Sequence, residues 1–234
     1  TATIGVSGVP SSTTGHLENP LGVAVDASRV YVADAGNHRV QIFDLDYNWV
    51  TRIGATDSAG SDNEHFDHPS DVAVDSEYIY VADWNNTRVQ QFNKGRDYQR
   101  TYGVPGVPYS TDGYHYNHPR VAIDGSDNII ILEERGQRLV KLDADGLFQW
   151  AVGEPGVAGD DNEHFDNPRG VAVDGDGRVY VADPAFGNTS YRLRSLGKLW
   201  SSGVLMAFSR RAGKRPVDHL LRVQPEDERV IDSE

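Results

Sequence analysis

The sequence predicts an all-β fold, a β-propeller of four-stranded blades, and three observations predict it. A block of about fifty residues recurs: Asn19-Pro20, His68-Pro69, His118-Pro119 and Asn167-Pro168 open successive copies, their prolines 49, 50 and 49 residues apart. Within each copy, apolar and small residues alternate with a period of two in short runs, the mark of extended strands. Each of the first three copies closes on a glycine: Gly54, Gly103 or Gly153. Four antiparallel strands per repeat of this length, set radially, make a propeller blade.

Unit one, residues 19–54, shows the elements in order. Val23 and Val25 mark a first strand, Val30 and Val32 a second, Val40 and Ile42 a third, and residues 49–53 a fourth. The intervening Asp26-Ala27-Ser28, Ala35-Gly36-Asn37 and Leu45-Asp46-Tyr47 are short enough for hairpin turns. Gly22, Ala24 and Ala33 are small where inner strands converge on an axis. Units two (68–103) and three (118–153) repeat the scheme, with fourth strands expected at 99–102 and 148–152. The same offsets, to within one residue, align Asp26 with Asp75, Asp124 and Asp174, Asp34 with Asp83, Glu133 and Asp183, and Arg39 with Arg88 and Arg138.

Unit four opens at Asn167 and loses the pattern after Asn188, where Ser190-Tyr-Arg-Leu-Arg stands in place of an Arg-Val-Gln-Ile-Phe run; Leu199-Trp200 echoes a fourth strand. Residues 191–234 read as a degenerate last blade followed by a non-repeat tail, with a small helical extension or a shifted reading frame as the competing accounts. Residues 1–5, ending on Gly5, read as the last strand of a preceding blade, so about three and a half blades are expected within the chain.

Composition narrows the partners. Residues 1–190 hold 13 Lys and Arg against 29 Asp and Glu, a balance of −16, whereas residues 191–234 hold 9 against 6, a balance of +3. An acidic body disfavours nucleic acid and anionic membrane surfaces, and leaves proteins, carbohydrates and cations as ligands. No cysteine is present, which removes disulfides and thiolate metal sites. No run of 18 apolar residues offers a membrane-spanning helix.

Four long connections, residues 6–19, 55–68, 104–118 and 154–167, join the units. Because strands alternate in direction, they emerge on the face that carries the turns between second and third strands. Loops of that length are where function concentrates. That face nominates Asp34, Asp83, Glu133 and Asp183, a possible ring of carboxylates around the axis, and Trp84, a large aromatic where unit one has Ala35, as ligand-binding residues. The competing structural reading has each carboxylate closing its own turn through backbone N–H groups, and Arg39, Arg88 and Arg138 making blade-to-blade ion pairs.

Metal signals are weaker. His16, His65, His115 and His164 each stand four residues before a repeat proline and next to Leu17, Phe66, Tyr116 or Phe165. Equivalent positions on neighbouring blades lie too far apart for one ion, so these histidines read as loop residues beside an apolar anchor, with His68 and His118 as second donors beside His65 and His115. The loops 57–64 and 159–163 carry oxygen donors near glycine, as a calcium loop would, without its spacing. No cofactor is expected beyond such a calcium ion. Asn85-Asn86-Thr87 and Asn188-Thr189-Ser190 match the glycosylation acceptor.

The blocks Asn19-Pro-Leu-Gly-Val-Ala-Val-Asp and Val30-Tyr-Val-Ala-Asp-Ala-Gly-Asn-His-Arg-Val-Gln-Ile-Phe, with their copies over 69–92 and 168–183, resemble the NHL-repeat family of β-propellers. Unit three departs most, with Leu132-Glu133-Glu134-Arg135-Gly136-Gln137-Arg138 in the second-to-third-strand region. The resemblance implies that the blades present form part of a larger, six-bladed propeller, that the chain is a non-catalytic binding or scaffolding module, and that it works in an extracellular, cell-surface or periplasmic setting. An alternative implied by the same family is a metal-dependent lyase whose site lies partly in missing blades. The metal histidine of the peptidylglycine amidating lyase follows the repeat proline, where this chain has Leu21, Ser70, Arg120 and Arg169. An RNA-binding propeller, the third reading, needs a basic face that the acidic body opposes.

Overall fold

A computed structural model describes residues 3–5, 11, 13–103, 118–159 and 164–184, and the strand backbones at 191–196, 204–209, 219–222 and 231–232. The period-two runs form antiparallel sheets in chain order. Blade I comprises β1 (Pro20–Val25), β2 (Arg29–Asp34), β3 (Arg39–Asp44) and β4 (Trp49–Ile53). Blade II comprises β5 (Pro69–Val74), β6 (Tyr78–Asp83), β7 (Arg88–Asn93) and β8 (Tyr98–Tyr102), so its last strand starts one residue earlier than the alternation indicates. Blade III comprises β9 (Pro119–Ile123), β10 (Ile129–Glu133), β11 (Arg138–Leu142) and β12 (Phe148–Val152). The fourth sheet runs β13 (Gly170–Val173), β14 (Val179–Pro184), β15 (Tyr191–Leu196), β16 (Val204–Ser209), β17 (His219–Arg222) and β18 (Ile231–Asp232). Leu199 and Trp200 lie outside the described residues.

The first strands sit side by side, β1 against β5, β5 against β9 and β9 against β13, around a common axis. Space there is short: a side chain on Gly22 would meet the Cα of Asp71 at 2.6 Å. Blades II and III are stitched at the axis, where Ser70 Oγ donates to the Pro119 carbonyl at 2.7 Å and the Val121 N–H reaches Asp71 Oδ2 at 3.2 Å.

Alternation sends one side of each strand to each neighbouring blade. Tyr31, Val40 and Ile53 of blade I share a cluster with Val72, Ile79 and Phe92 of blade II, and loop residue Phe66 completes it. Phe165 does the same between blades III and IV. The anchors beside His65 and His164 are thus core residues, 1% and 0% exposed. On the other side of blade I, Ile4 and Leu17 pack over buried Val30, Val32 and Phe43, but the first strand is left open there: Val23 is 64% exposed where its counterpart Val72 is 3%.

The first hairpin of each unit is closed by its aligned aspartate. Asp26 Oδ1 accepts the N–H groups of Ser28 and Arg29, and Asp75, Asp124 and Asp174 repeat this on their own turns. The closing glycines need their left-handed backbone: Gly54 has φ +90°, and a Cβ there would lie 2.9 Å from the His38 carbonyl and 2.7 Å from the Phe66 ring.

Candidate functional site on the loop-bearing face

The ends of β2 and β4 and the starts of β1 and β3 share one face with the long connections, as strand alternation requires. Asp34, Asp83 and Glu133 sit directly opposite Arg39, Arg88 and Arg138 in the strand register. The pairs bond inside their own blades: Arg39 Nε to Asp34 Oδ2 and Arg88 Nε to Asp83 Oδ2 both at 2.8 Å, and Arg138 Nη2 to Glu133 Oε1 at 2.7 Å. The expectation of blade-to-blade pairs is therefore corrected. Directly opposed residues on adjacent strands are within reach, and neighbouring blades are separated by apolar packing.

The carboxylates also bond differently from the turn-closing reading. Asp34 Oδ1 accepts the N–H of Glu18, Asp83 Oδ1 that of Asp67, and Asp183 Oδ1 that of Asp166, at 2.6–2.8 Å. Each reaches back to the connection that enters its blade. Arg88 completes the anchor by donating to the Ser61, Asp62 and His65 carbonyls at 2.6–2.9 Å, and Arg39 Nη2 donates to the Thr13 and His16 carbonyls. Burial pushes the Asp83 carboxyl up to about 6, against the pull of the Asp67 N–H and the Arg88 charge. Asp34, Asp83, Glu133 and Asp183 are 0–2% exposed. As nominated ligand contacts they stand beneath the surface, where a solute does not touch them; Asp34, Asp83 and Asp183 fix the connections that enter their blades.

What the loops present varies at two junctions between blades. At II–III, Trp84 follows Asp83 and packs edge-on against His118, ring centroids 4.7 Å apart, with the Arg120 guanidinium 5.9 Å from the indole centroid. Arg120 Nη1 is held by the Ser70 carbonyl at 2.6 Å. Trp84 Nε1 and His118 Nδ1 are buried and find no hydrogen-bond partner among the described residues. Burial, with the Arg135 and Arg120 charges, pushes the His118 imidazole down to about 4, so it is neutral at pH 7. One blade on, Glu134 and Arg169 occupy the positions of Trp84 and Arg120, 4.0 Å apart.

At I–II, His38, Asp67 and His68 converge. Among the described residues they are the one group of three His, Cys, Asp or Glu side chains whose donor atoms all lie within 4.8 Å of one another. His68 Nδ1 is 2.8 Å and His38 Nδ1 3.5 Å from Asp67 Oδ1, and the rings meet edge-on at 4.5 Å. Asn85 Nδ2 donates to Asp67 Oδ1 at 3.0 Å. Burial and the His68 charge hold the His38 imidazole below its usual range. Burial works to raise the Asp67 carboxyl, and the His68 and Asn85 bonds outweigh it and hold it low. Sequence reasoning paired His68 with His65 and missed His38. The signal was the stacking itself, which sets the second-to-third-strand turn of one blade beside the residue before proline in the next.

The other metal candidates stay local. His65 Nδ1 lies 2.7 Å from Asp62 Oδ1, which also accepts the Glu64 N–H, so this acidic loop is closed by its own aspartate. His115, residues 160–163 and Asn188 lie outside the described residues. Asn85 is exposed.

A model of the NHL repeat matches residues 17–43, 66–92 and 165–190. These three segments are NHL repeats. The matched NHL units are one, two and four; unit three, where Leu132-Glu133 replaces Ala-Asp, is passed over though it folds as a full blade. Solved structures share the fold. A Bacteroides thetaiotaomicron protein of unknown function is 26% identical, with a TM-score of 0.51 over 76% of this chain and 44% of its own length. The NHL chain thus spans less than half of that protein. A structure of a nidogen–laminin complex gives 14% identity and a TM-score of 0.56 over 91% and 78%, and a streptogramin B lyase gives 13% and 0.53 over 98% and 71%. Among curated proteins nothing matches. These NHL blades therefore belong to a propeller fold suited to binding and scaffolding. Among the described residues no helix is long and apolar enough to cross a membrane.

Proposed function

We propose that the chain is a non-catalytic binding module that docks a protein partner on its loop-bearing face, with the contact centred on Trp84 at the II–III junction. The supporting observation is the cluster of Trp84, His118 and Arg120. It joins an indole held edge-on by a neutral imidazole to a guanidinium fixed by a backbone carbonyl. Trp and Arg dominate the energetic centres of protein interfaces because they combine large apolar area with directed donors and little conformational freedom. The anchored connections that enter blades I, II and IV favour this use, since their ordering is done before a partner arrives. The acidic body steers a basic partner towards the face, and Arg120 and Arg169 select acceptor groups within it. On this reading the protein works outside the cytoplasm.

The test is binding of the labelled full chain to tiled peptide and glycan arrays, repeated with Trp84→Ser and Arg120→Ser. Peptide hits weakened at least about tenfold by either variant support the proposal. Hits confined to sugars would replace the protein partner with a carbohydrate, and hits indifferent to both variants would overturn the site. Turnover of an offered substrate by the wild type in a lyase assay would overturn the non-catalytic reading.

A further inference from the structure

We propose that His38, Asp67 and His68 form a binding site for a divalent transition-metal ion, zinc by preference, that clamps blade I to blade II on the loop-bearing face. The argument begins with what the junction requires structurally. His38 and His68 both have left-handed backbone, φ 54° each, and the His68 N–H donates to His38 Nδ1 at 3.2 Å. At the III–IV junction the same three positions hold Gln137, Asp166 and Asn167. There Gln137 and Asn167 have φ 55° and 53°, the Asn167 N–H donates to Gln137 Oε1 at 2.6 Å, and Asn167 Nδ2 donates to Asp166 Oδ1 at 2.9 Å. Glutamine and asparagine therefore meet the backbone requirement with a shorter bond. Asn19 also stands before its proline in left-handed backbone, at φ 48°. The fold does not ask for two imidazoles at I–II.

Those imidazoles have a chemistry that Gln and Asn lack. Two neutral nitrogens and a carboxylate suit zinc and its neighbours, and do not suit calcium or magnesium, which take oxygen. Metal–donor distances of about 2.0–2.2 Å in a tetrahedron put neighbouring donors roughly 3.3 Å apart. The 2.8 and 3.5 Å contacts on Asp67 Oδ1 bracket that spacing, and the set lies within 4.8 Å, so loading takes side-chain adjustment without movement of the blades. The long bond from the His68 N–H is the weak contact to give up. Asn85 holds Asp67 from outside, as metal-bound carboxylates usually need. The His68 side chain is 46% exposed, which gives an ion entry and leaves a fourth coordination position open to water or a partner's side chain.

The experiment uses the full chain stripped with chelator and titrated with zinc chloride by calorimetry, with the visible spectrum of the cobalt-substituted form reporting coordination. The variant is H38Q/H68N, which installs residues the protein already carries at positions 137 and 167. The wild type should take up one equivalent with an intense four-coordinate cobalt spectrum and melt at a higher temperature when loaded. The variant should lose at least about 100-fold in affinity, since two ligands go where one supporting residue alone is worth 10- to 100-fold. Its metal-free melting temperature should match that of the stripped wild type. If the double variant does not fold, H68N alone, matching Asn19 and Asn167, replaces it with the same expected loss. Equal zinc affinity in wild type and variant, or no uptake by the wild type at micromolar zinc, would overturn the proposal.

Discussion

Arg88→Met removes a charge that lies at the bottom of blade II and holds both strand and loop. In the wild type Arg88 is 1% exposed, bonds Asp83 through Nε and supplies donors to the Ser61, Asp62 and His65 carbonyls. The methionine fills the stem's volume and restores none of these bonds. Asp83 is left with the Asp67 N–H and Asn86 Nδ2. Deleting one partner of a buried pair costs about 3–5 kcal/mol, chiefly because the other charge stays buried. The loop carbonyls lie nearer the surface, where water replaces the lost donors at a smaller cost. A loss of about 4 kcal/mol follows, a large part of the 5–15 kcal/mol that holds a typical domain together.

The loss has a pH signature. Asp83 has a folded pKa raised from 3.8 to about 6, so its stability contribution is fully present below 3.8 and is lost as pH rises through 6. Without Arg88 the carboxyl rises further, so the variant's deficit is greater at pH 8 than at pH 5. Urea unfolding followed by fluorescence at both values measures it. Asp83→Leu/Arg88→Met, with no charge stranded, should recover at least half of the loss, while Arg178→Ala, on an exposed pair with Asp176, leaves the midpoint where it was. A deficit in Arg88→Met below about 1 kcal/mol, or a double variant no better than the single, would refute the view that this pair anchors the loop.

Three further outcomes are expected. Gly54→Ala forces a Cβ against the His38 carbonyl at a φ of +90°, and should cost about 2 kcal/mol or more by thermal melt. Val72→Asp should destabilise by more than about 3 kcal/mol whereas Val23→Asp costs less than about 1 kcal/mol, because one side is covered by blade I and the other is open. His118, with its folded pKa depressed to about 4, contributes stability above pH 6.5 that is lost as pH falls through 4. Wild type minus His118→Asn should therefore shrink between pH 7 and pH 4, by roughly 1 kcal/mol once solvent screening of the half-buried ring is allowed for.

Much of the blade was legible because its signals are local. Proline spacing, period-two alternation and the turn aspartates fix strands and hairpins without knowledge of what packs against them. The third strand of blade IV was not, and the register shows why. Asp34 faces Arg39 with four residues between them, whereas Asp183 faces Arg192 with eight between, of which Pro184 and Tyr191 still pair. The longer connection displaces the motif, so Arg192-Leu193 answers to Arg39-Val40 although alignment at the Asp34-to-Asp183 spacing lands on Asn188. The site was less legible still. Asp34, Asp83, Glu133 and Asp183 were visible as a repeating column, but a column says nothing about depth, and burial turns them from contacts into anchors. The His38–His68 pairing depends on which blade surfaces meet, which is a property of the stack.

The repeat also acts as its own control. All four sheets set an acid opposite an arginine at the end of the second strand, Asp in three and Glu133 in blade III, and the same backbone anchor enters blades I, II and IV; a position filled alike in blade after blade is filled for the blade's sake. On the loop-bearing face neighbouring positions are filled differently each time: Ala35, Trp84 and Glu134 after the acid, and His38, Thr87 and Gln137 at the left-handed turn. Packing equivalent backbones does not require that variety. The two junctions that gather Trp84, His118 and Arg120, or His38, Asp67 and His68, therefore carry side-chain chemistry that the blade scaffold does not itself require.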